Sequence, residues 1–184
     1  MYSIDIIVQN YFSLIRTPFL TESMLILSRL FDLLAYSVTV ALFMVFLVYL
    51  VRGFRYAMLF LITISSTGIL VYLLKLFFNV NRPTDTVIST FGQSFPSYHA
   101  TIATVFFVML IYIFDDYFKS FQRIIFNTIC ILAIFAIAFS RVYLGVHWTS
   151  DVIFGIILGS TISYISIIIF RHVRNMHNNT SMLK

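Results

Sequence analysis

The amino-acid sequence predicts an all-α protein, a multi-span membrane helix bundle with five transmembrane helices and an N-terminal interfacial helix. The chain of 184 residues is 60% hydrophobic and only 10% charged, whereas a soluble domain carries about 25% charged residues. Five long runs contain almost no charge, and most of the charged residues lie between them. A single domain is the natural expectation at this length.

The N-terminal segment, residues 1–32, is too mixed in polarity to cross about 30 Å of hydrocarbon. Its apolar stretch is short and ends at Arg16 and Pro18. We therefore predict a helix lying in the membrane interface, with Tyr11 and Phe12 at the level of the lipid head groups.

The five apolar runs are predicted to cross the membrane as helices. Each approaches the roughly 17–25 residues that a spanning helix needs, and hydrocarbon offers no partner to open backbone groups. Buried helices of a soluble protein are the alternative, but five such runs in so short a chain argue against it. The predicted spans are residues 33–51, 56–74, 96–114, 124–140 and 152–170. They form a membrane core, 33–171, which a polar tail, 172–184, follows.

The distribution of Lys and Arg predicts the topology. Cytoplasmic loops carry an excess of these residues, and the connections after the first and third runs, together with the tail, hold most of them. The C-terminus is therefore expected in the cytoplasm, and the loops at 79–95 and 141–151 on the outer face, which is periplasmic for a bacterial inner (plasma) membrane. The net charge of +5 does not indicate nucleic acid, because the basic residues are scattered singly between apolar runs.

A first polar cluster follows the second apolar run. Lys75 and Arg82 are seven positions apart, so a helix that continued through both would place them on one side, two turns apart. Taken alone, snorkelling of the two long side chains to the membrane interface is the simpler interpretation.

A second cluster lies where the third run begins, at Pro96, Ser97, Tyr98 and His99. Proline suits the first position of a helix, and the free backbone N–H groups of a helix start form an anion site. Ser97 adds a hydroxyl and His99 adds a titratable imidazole. Taken alone, His99 could equally be an interfacial histidine bonded to a neighbour.

The third cluster contains Arg141, His147 and Asp151. On a helix start, positions i and i+4 place two Cβ atoms about 6 Å apart, and a carboxylate bonded to one imidazole nitrogen leaves the other free to attack. A capping aspartate beside a chance histidine explains the pair equally well when it is taken alone. Thr149 or Ser150 would cap this helix, and neighbouring Trp148 would be an interfacial anchor.

The three clusters are predicted to share one membrane face, where ionisable groups mark function. Three cations around a helix start call for a compact polyanion, and phosphate fits best. A metal site is the competing interpretation, because His99, His147 and Asp151 are plausible ligands. The three cations would repel a divalent metal ion, so neither a metal nor a cofactor is expected.

These residues resemble the three signature motifs of the type 2 phosphatidic acid phosphatase superfamily. The motifs read Lys75, six residues, Arg82-Pro83; then Pro96-Ser97-Tyr98-His99; then Ser140-Arg141, five residues, His147, three residues, Asp151. The resemblance covers roughly residues 72–155. It departs from the family pattern in two ways: Tyr98 stands where the family usually has glycine, and many small bacterial members have six spans.

The resemblance implies a metal-independent membrane phosphatase whose catalytic residues are His147, His99 and Asp151. His147 would attack phosphorus and form a phosphohistidine, with Asp151 orienting its ring. His99 would protonate the leaving oxygen and then activate water. The implied phosphate-binding positions are Lys75, Arg82, Ser97, Tyr98 and Arg141, and Tyr98 would narrow the pocket.

The implied substrate is a phosphorylated lipid, with membrane lipids as the other partners. Phosphatidic acid, phosphatidylglycerophosphate, undecaprenyl or another polyprenyl diphosphate, and the 1-phosphate of lipid A all fit. A second hypothesis is a non-catalytic membrane protein that binds phospholipid head groups. A third is a soluble haloperoxidase relative that binds vanadate, which the five apolar runs oppose. The sequence does not indicate an oligomeric state.

Overall fold

The protein folds as an assembly of seven helices in the computed structural model, which describes residues 3–32 and 34–181, with side chains at 3–28 and 38–176. The helices are α1 (Ser3–Ile15), α2 (Pro18–Asp32), α3 (Leu34–Arg52), α4 (Phe54–Phe78), α5 (Tyr98–Phe114), α6 (Ser120–Tyr143) and α7 (Thr149–Ser181). No strand occurs within the described ranges. The predicted all-α class is therefore confirmed, and a helix lies at each of the five apolar runs.

Three of these helices are long and apolar enough to cross a membrane: α4, α6 and the Thr149–Met176 part of α7. Large apolar side chains cover their outer surfaces, as at Ile62, Ile69 and Leu73 of α4. Such surfaces suit contact with lipid tails rather than with water. Helix α5 (Tyr98–Phe114) is shorter, and the side chains of α3 are described only over Val38–Arg52, so five spans remain a prediction.

Helix α5 lies at the centre of the bundle and packs against α4, α6 and α7. Its contact with α7 is close because Gly155 and Gly159 carry no side chain. A Cβ atom at Gly159 would lie 2.7 Å from the carbonyl oxygen of Thr101 and 2.8 Å from Cβ of Thr104. Small residues four positions apart allow membrane helices to approach in this way. The packing brings the first turns of α5 and α7 side by side, where the Ser97 N–H donates to the carbonyl of Asp151 at 3.2 Å.

The N-terminal segment forms two helices, where the sequence predicted one. Helix α1 packs on α6 and α7, and α2 packs on α6 and α3. Phe12 of α1 packs edge-on against Phe139 and Tyr143, with ring centroids 5.4 and 5.9 Å away. The phenol oxygen of Tyr143 accepts the Thr17 N–H at 3.2 Å. Both helices therefore cover the C-terminal end of α6.

Three helix boundaries differ from the sequence prediction. Helix α4 ends at Phe78 because Asn79 adopts a left-handed conformation, φ 47°, and its N–H closes onto the Lys75 carbonyl. The helix therefore extends four residues beyond the predicted span and does not continue to Arg82, which lies in the loop predicted at 79–95. Helix α5 begins at Tyr98, so Pro96 precedes the helix. Helix α7 continues to Ser181, beyond the predicted span.

Candidate active site

The loop between α6 and α7, residues 144–148, carries His147 into the protein interior. Gly145 takes a left-handed conformation with φ 72°, which glycine adopts without strain. The carbonyl oxygen of Arg141 then accepts the backbone N–H groups of Val146 and His147, at 3.2 and 3.3 Å. The imidazole is left with only 1% of its surface exposed, so the loop itself fixes the position of His147.

His147 and Asp151 lie side by side, with Nδ1 of the imidazole 3.5 Å from Oδ2 of the carboxylate. A third residue, Ser94, is inserted beside both. Its hydroxyl oxygen is 3.3 Å from Nδ1 of His147 and its O–H donates to Oδ2 of Asp151. The same carboxylate oxygen accepts the backbone N–H of Trp148 at 3.0 Å. Sequence reasoning did not identify Ser94, because no local pattern connects it to residues 53 and 57 positions away.

The first turn of α7 is held by Asp5 of α1, which is 4% exposed. The Asp5 carboxylate accepts the backbone N–H of Ser150 at 2.9 Å and its hydroxyl at 2.7 Å. Thr149 and Ser150 lie inside the helix, so the expectation that one of them caps it is wrong. A buried carboxylate from a distant helix performs that task, which suits the positive end of the helix dipole.

Trp148 is buried, with 9% of its surface exposed. Its indole N–H donates to the carbonyl of Asn81 at 2.9 Å. The expectation of an interfacial anchor is therefore wrong. The ring joins the loop before α7 to the loop after α4.

Two arginines flank His147. The Nη1 atom of Arg82 donates to the Val146 carbonyl at 2.7 Å and lies 3.5 Å from Nε2 of His147. Arg141 is 2% exposed, and its Nη1 donates to the hydroxyl of Ser28 on α2. Both guanidinium groups thus sit in fixed positions beside the imidazole.

Lys75, the third predicted cation, reaches the loop that follows α4. Its ammonium donates to the carbonyl oxygens of Gln93 at 2.7 Å and of Ser94 at 3.1 Å. Lys75 therefore holds in place the residue that contacts His147 and Asp151. It lies next to the two arginines without lining the cavity that they share.

A cavity of about 380 Å³ opens at this point, within the usual range of small-ligand sites, about 300–1,000 Å³. Its walls are formed by Arg82, Ile88, Ser89, Thr90, Phe91, Tyr98, His99, Arg141 and His147. Ser97, the N-cap residue of α5, precedes two of these residues. Its hydroxyl is buried and, among the described residues, has no hydrogen-bond partner. The structure thus brings the three predicted clusters together around one cavity.

Charge and burial set the state of the imidazole. Burial lowers the pKa of His147 well below its usual value, and the neighbouring cations Arg82, Arg141 and Lys75 lower it further. His147 is therefore neutral at neutral pH, as a nitrogen nucleophile must be.

Helix α1 and the residue that follows it, Arg16, also hold the loop on the other side of the cavity. Nη1 of Arg16 pairs with the Asp85 carboxylate at 3.0 Å, and Nη2 donates to the Asp85 carbonyl at 3.1 Å. Gln9 donates to the same carbonyl at 3.3 Å. These contacts surround Gly145, where a Cβ atom would lie 2.2 Å from the Asp85 carbonyl oxygen. Sequence reasoning missed these residues, because they meet only through the tertiary fold.

Metal-binding potential is low in the part of the chain that the structure describes. No group of three or more His, Cys, Asp or Glu side chains lies close enough to hold a metal ion there. The two possible metal ligands that do lie in contact, His147 and Asp151, are instead hydrogen-bonded to Ser94, and the positively charged Arg82 lies beside His147.

The order of the motifs and this geometry agree with a comparison against protein families. The model of the PAP2 superfamily matches residues 56–175, which include all three motifs. The chain belongs to the PAP2 superfamily. The resemblance that the motifs indicated is thereby confirmed.

Two solved structures share the fold of this PAP2 protein. One is a transmembrane PAP2-type phosphatidylglycerolphosphate phosphatase from Bacillus subtilis, with 24% identity, a TM-score of 0.85, and coverage of 93% of this chain and 86% of the other. The other is LpxE from Aquifex aeolicus, with 22% identity, a TM-score of 0.74, and coverage of 90% and 96% respectively. A search of curated proteins gave no match. At these identities the two structures establish the fold alone.

Tyr98 is the position at which this PAP2 protein departs from the family motif. The side chain is half-buried and lines the cavity. Its ring meets that of His99 edge-on, with centroids 5.8 Å apart. The tyrosine thus occupies space beside His99 that a glycine would leave open.

Proposed function

We propose that this PAP2 protein is an integral membrane phosphatase that hydrolyses a lipid phosphate or diphosphate monoester through a phosphohistidine at His147. The observation that carries the proposal is the cavity in which a neutral His147 faces Arg82 and Arg141, with His99 in the same wall. A nucleophile, two fixed cations and a second imidazole are the parts that phosphoryl transfer requires.

The phosphate group would bind between the cations and the start of α5. Arg82 and Arg141 offer guanidinium groups, which match phosphate oxygens in pairs. The unpartnered hydroxyl of Ser97 and the N–H groups of the first turn supply further donors at a positive helix end. Lys75 adds a positive charge near His147, although it does not line the cavity. These groups are in place before the reaction, which is the condition for stabilising the charge of the transition state.

The first chemical step would form a bond from Nε2 of His147 to phosphorus while the bond from phosphorus to the lipid oxygen breaks. That oxygen leaves with the bonding electron pair, and His99 supplies its proton. In the second step His99 takes a proton from water, the water oxygen bonds to phosphorus, and the electron pair of the N–P bond returns to His147. The residues can perform both steps without a metal ion.

The lipid character of the substrate follows from where the cavity lies. The start of α5, the end of α6 and the loops after α4 and before α7 line it, so a lipid head group would reach it from the membrane interface at the ends of the long apolar helices. We place the five helices α3 to α7 across the membrane, with the cavity on the outer face and the C-terminus in the cytoplasm. Because the Bacillus subtilis neighbour is a phosphatidylglycerolphosphate phosphatase, phosphatidylglycerophosphate is the first lipid to test.

The test is phosphate release by the purified protein in detergent. The lipids are phosphatidylglycerophosphate, phosphatidic acid, undecaprenyl diphosphate and lipid A 1-phosphate, each with and without EDTA. We expect release that EDTA leaves unchanged, that His147→Ala abolishes and that Arg141→Ala strongly reduces. His172→Ala is the matched control, because this histidine is exposed and lies on the opposite part of α7.

Three results would overturn the proposal. Full activity in His147→Ala would exclude the phosphohistidine. Absence of release from every lipid, together with retained binding of lipid phosphates, would favour the head-group-binding protein instead. Loss of activity in EDTA, restored by a divalent metal, would contradict the metal-independent mechanism.

A further inference from the structure

Ser94 occupies a position between the two groups of the proposed nucleophilic pair. Its side chain is completely buried. The hydroxyl oxygen lies 3.3 Å from Nδ1 of His147, closer than Oδ2 of Asp151, which is 3.5 Å from the same nitrogen. The carboxylate oxygen also accepts the Ser94 O–H and the Trp148 N–H. The direct contact between imidazole and carboxylate is therefore the longest in the cluster.

The number of available protons determines the direction of each hydrogen bond. An ionised carboxylate only accepts, so the single proton of the Ser94 hydroxyl goes to Asp151. The hydroxyl oxygen can then only accept from His147, and Nδ1 must carry the ring proton. A neutral imidazole has one such proton, so Nε2 keeps its lone pair. Nε2 is the nitrogen that faces Arg82, at 3.5 Å from Nη1.

The backbone of Ser94 is held as firmly as its side chain. Its N–H donates to the carbonyl of Val80 at 2.7 Å. Its carbonyl accepts from the Lys75 ammonium at 3.1 Å, and the same ammonium binds the Gln93 carbonyl at 2.7 Å. The hydroxyl is thus directed at His147 by contacts on both sides of its peptide unit.

We propose that Ser94 is a positioning residue for His147: it connects the imidazole to Asp151 and selects the tautomer in which Nε2 is the nucleophile. This inference rests on the proposed function for its effect on the reaction rate. Its effect on the tautomer is a property of the resting protein. When Nε2 bonds to phosphorus, the ring gains positive charge while Nδ1 keeps its proton, and the chain through Ser94 to the carboxylate stabilises that charge.

The direct test is ¹⁵N NMR of the detergent-solubilised protein with labelled histidine, in which the His147 signals are identified by their loss in His147→Gln. In the wild type we expect Nδ1 to resonate as a protonated nitrogen and Nε2 as an unprotonated one. In Ser94→Ala we expect the Nε2-protonated form to rise. Ser94→Thr, which keeps the hydroxyl, should restore the wild-type pattern.

The kinetic test uses the lipid that the wild type cleaves. We expect Ser94→Ala to lower kcat about 10–100-fold, by analogy with the loss that follows when the hydrogen-bond partner of a metal-binding histidine is removed, with KM little changed. Ser163→Ala is the matched control, because it also removes a buried hydroxyl from the bundle, about 18 Å further along α7 than Asp151. If Ser94→Ala does not fold, Ser94→Cys removes most of the hydrogen bonding at nearly the same volume.

An unchanged tautomer in Ser94→Ala or Ser94→Cys would overturn the inference, and so would an unchanged kcat. If the wild type cleaves no lipid phosphate, the proposed function fails. The NMR comparison still decides whether Ser94 selects the tautomer.

A second, independent feature is a groove of about 480 Å³ between α4 and α7 at the opposite end of the bundle. Apolar side chains such as Met58, Ile62 and Ile169 form its walls, and Arg55 and Arg174 lie at its end. Arg55 is about 30 Å along α4 from Lys75, so the groove is separate from the active site. The Tyr56 hydroxyl fixes Arg174 by accepting from Nη1 at 3.0 Å.

We infer that this groove binds a phospholipid with an anionic head group from the leaflet opposite the active site. An acyl chain matches the apolar walls, and a phosphate matches the two guanidinium groups. Among the described residues that line the groove, no acidic side chain competes for Arg55 or Arg174. The neighbouring arginine, Arg52, is in contrast paired with Asp116.

The test is native mass spectrometry of the protein with phosphatidylglycerol or phosphatidylcholine added in equal amounts. We expect wild-type protein to retain more phosphatidylglycerol, and the double variant Arg55→Gln/Arg174→Gln to lose at least half of that retention. The control Lys119→Gln/Arg123→Gln removes the same charge from an exposed and a half-buried position outside the groove. Equal retention of the two lipids by the wild type would refute the inference, and so would equal losses in the two double variants.

Discussion

Replacing Gly145 by alanine tests how the loop before His147 is held. The residue has φ 72°, and a Cβ atom there would lie 2.2 Å from the Asp85 carbonyl oxygen and 2.6 Å from the Gln9 amide nitrogen. The left-handed conformation costs an alanine about 1–2 kcal/mol. Overpacking of a filled site adds about 1–3 kcal/mol. We therefore expect Gly145→Ala to lower the free energy of unfolding by about 2–5 kcal/mol in total.

The activity of the same variant should fall about 100-fold, because a shift of about 1 Å in a reacting group has an effect of that size and His147 is two residues away. Thermal unfolding in detergent and phosphate release at low temperature measure the two effects separately. Gly53→Ala is the matched control: Gly53 also has a positive φ, 86°, but a Cβ atom there meets nothing within 4 Å. It should lose stability through strain alone and keep its activity. Equal losses of melting temperature in the two variants, with full activity in Gly145→Ala, would refute the reasoning.

Three further predictions concern other contacts. Asp5→Ala should lower the free energy of unfolding by about 1–3 kcal/mol, since it leaves the half-buried N–H and hydroxyl of Ser150 without their partner. Thermal unfolding measures this, and an unchanged melting temperature contradicts it. The fall of kcat/KM at acid pH that reports protonation of His147 should lie below pH 6.5, because the pKa of the imidazole is lowered. Arg82→Gln removes a neighbouring positive charge and should therefore move this fall to higher pH. A shift to lower pH in the pH profile would contradict the reasoning. Gly159→Ala should destabilise by about 1–3 kcal/mol through contact with α5 but keep kcat in protein that remains folded.

Local patterns in the sequence predicted the helices and the contact between His147 and Asp151. Long uncharged runs can satisfy their backbone in a membrane only as helices, so helices at the five runs followed from composition. The His147–Asp151 contact followed from their spacing at a helix start. Both depend on residues close in sequence, which is why neither required knowledge of the tertiary fold.

The residues that support this pair were not predictable from local pattern. Ser94 meets Asp151 across 57 positions, and Asp5 meets Ser150 across 145. A serine in a polar loop and an aspartate near the N-terminus are ordinary residues in such segments. Ser94 and Asp5 gain these partners only in the folded protein, where the loop after α4 and helix α1 both pack against the start of α7.

Arg82 lies in the loop that the sequence predicted at 79–95, but its contacts were not predictable from its spacing to Lys75. That spacing would place the two side chains together only if α4 continued through both residues, and the helix stops at Phe78. The chain turns at Asn79, and Arg82 reaches the site from the loop through its bonds to the Val146 and Gly92 carbonyls. The turn depends on one residue in a left-handed conformation, which hydrophobic periodicity does not reveal.

The cations of the proposed phosphate site have a second structural task. Lys75 holds the peptide of Ser94, and Arg82 holds the carbonyl next to His147. The same positive charges that would attract a phosphate therefore also hold His147 and the Ser94 hydroxyl in their relative positions. A substitution at Lys75 should affect both substrate affinity and the state of His147. A raised KM together with a changed His147 tautomer would show that the two tasks are coupled through Ser94, whereas a raised KM alone would assign Lys75 to phosphate binding only.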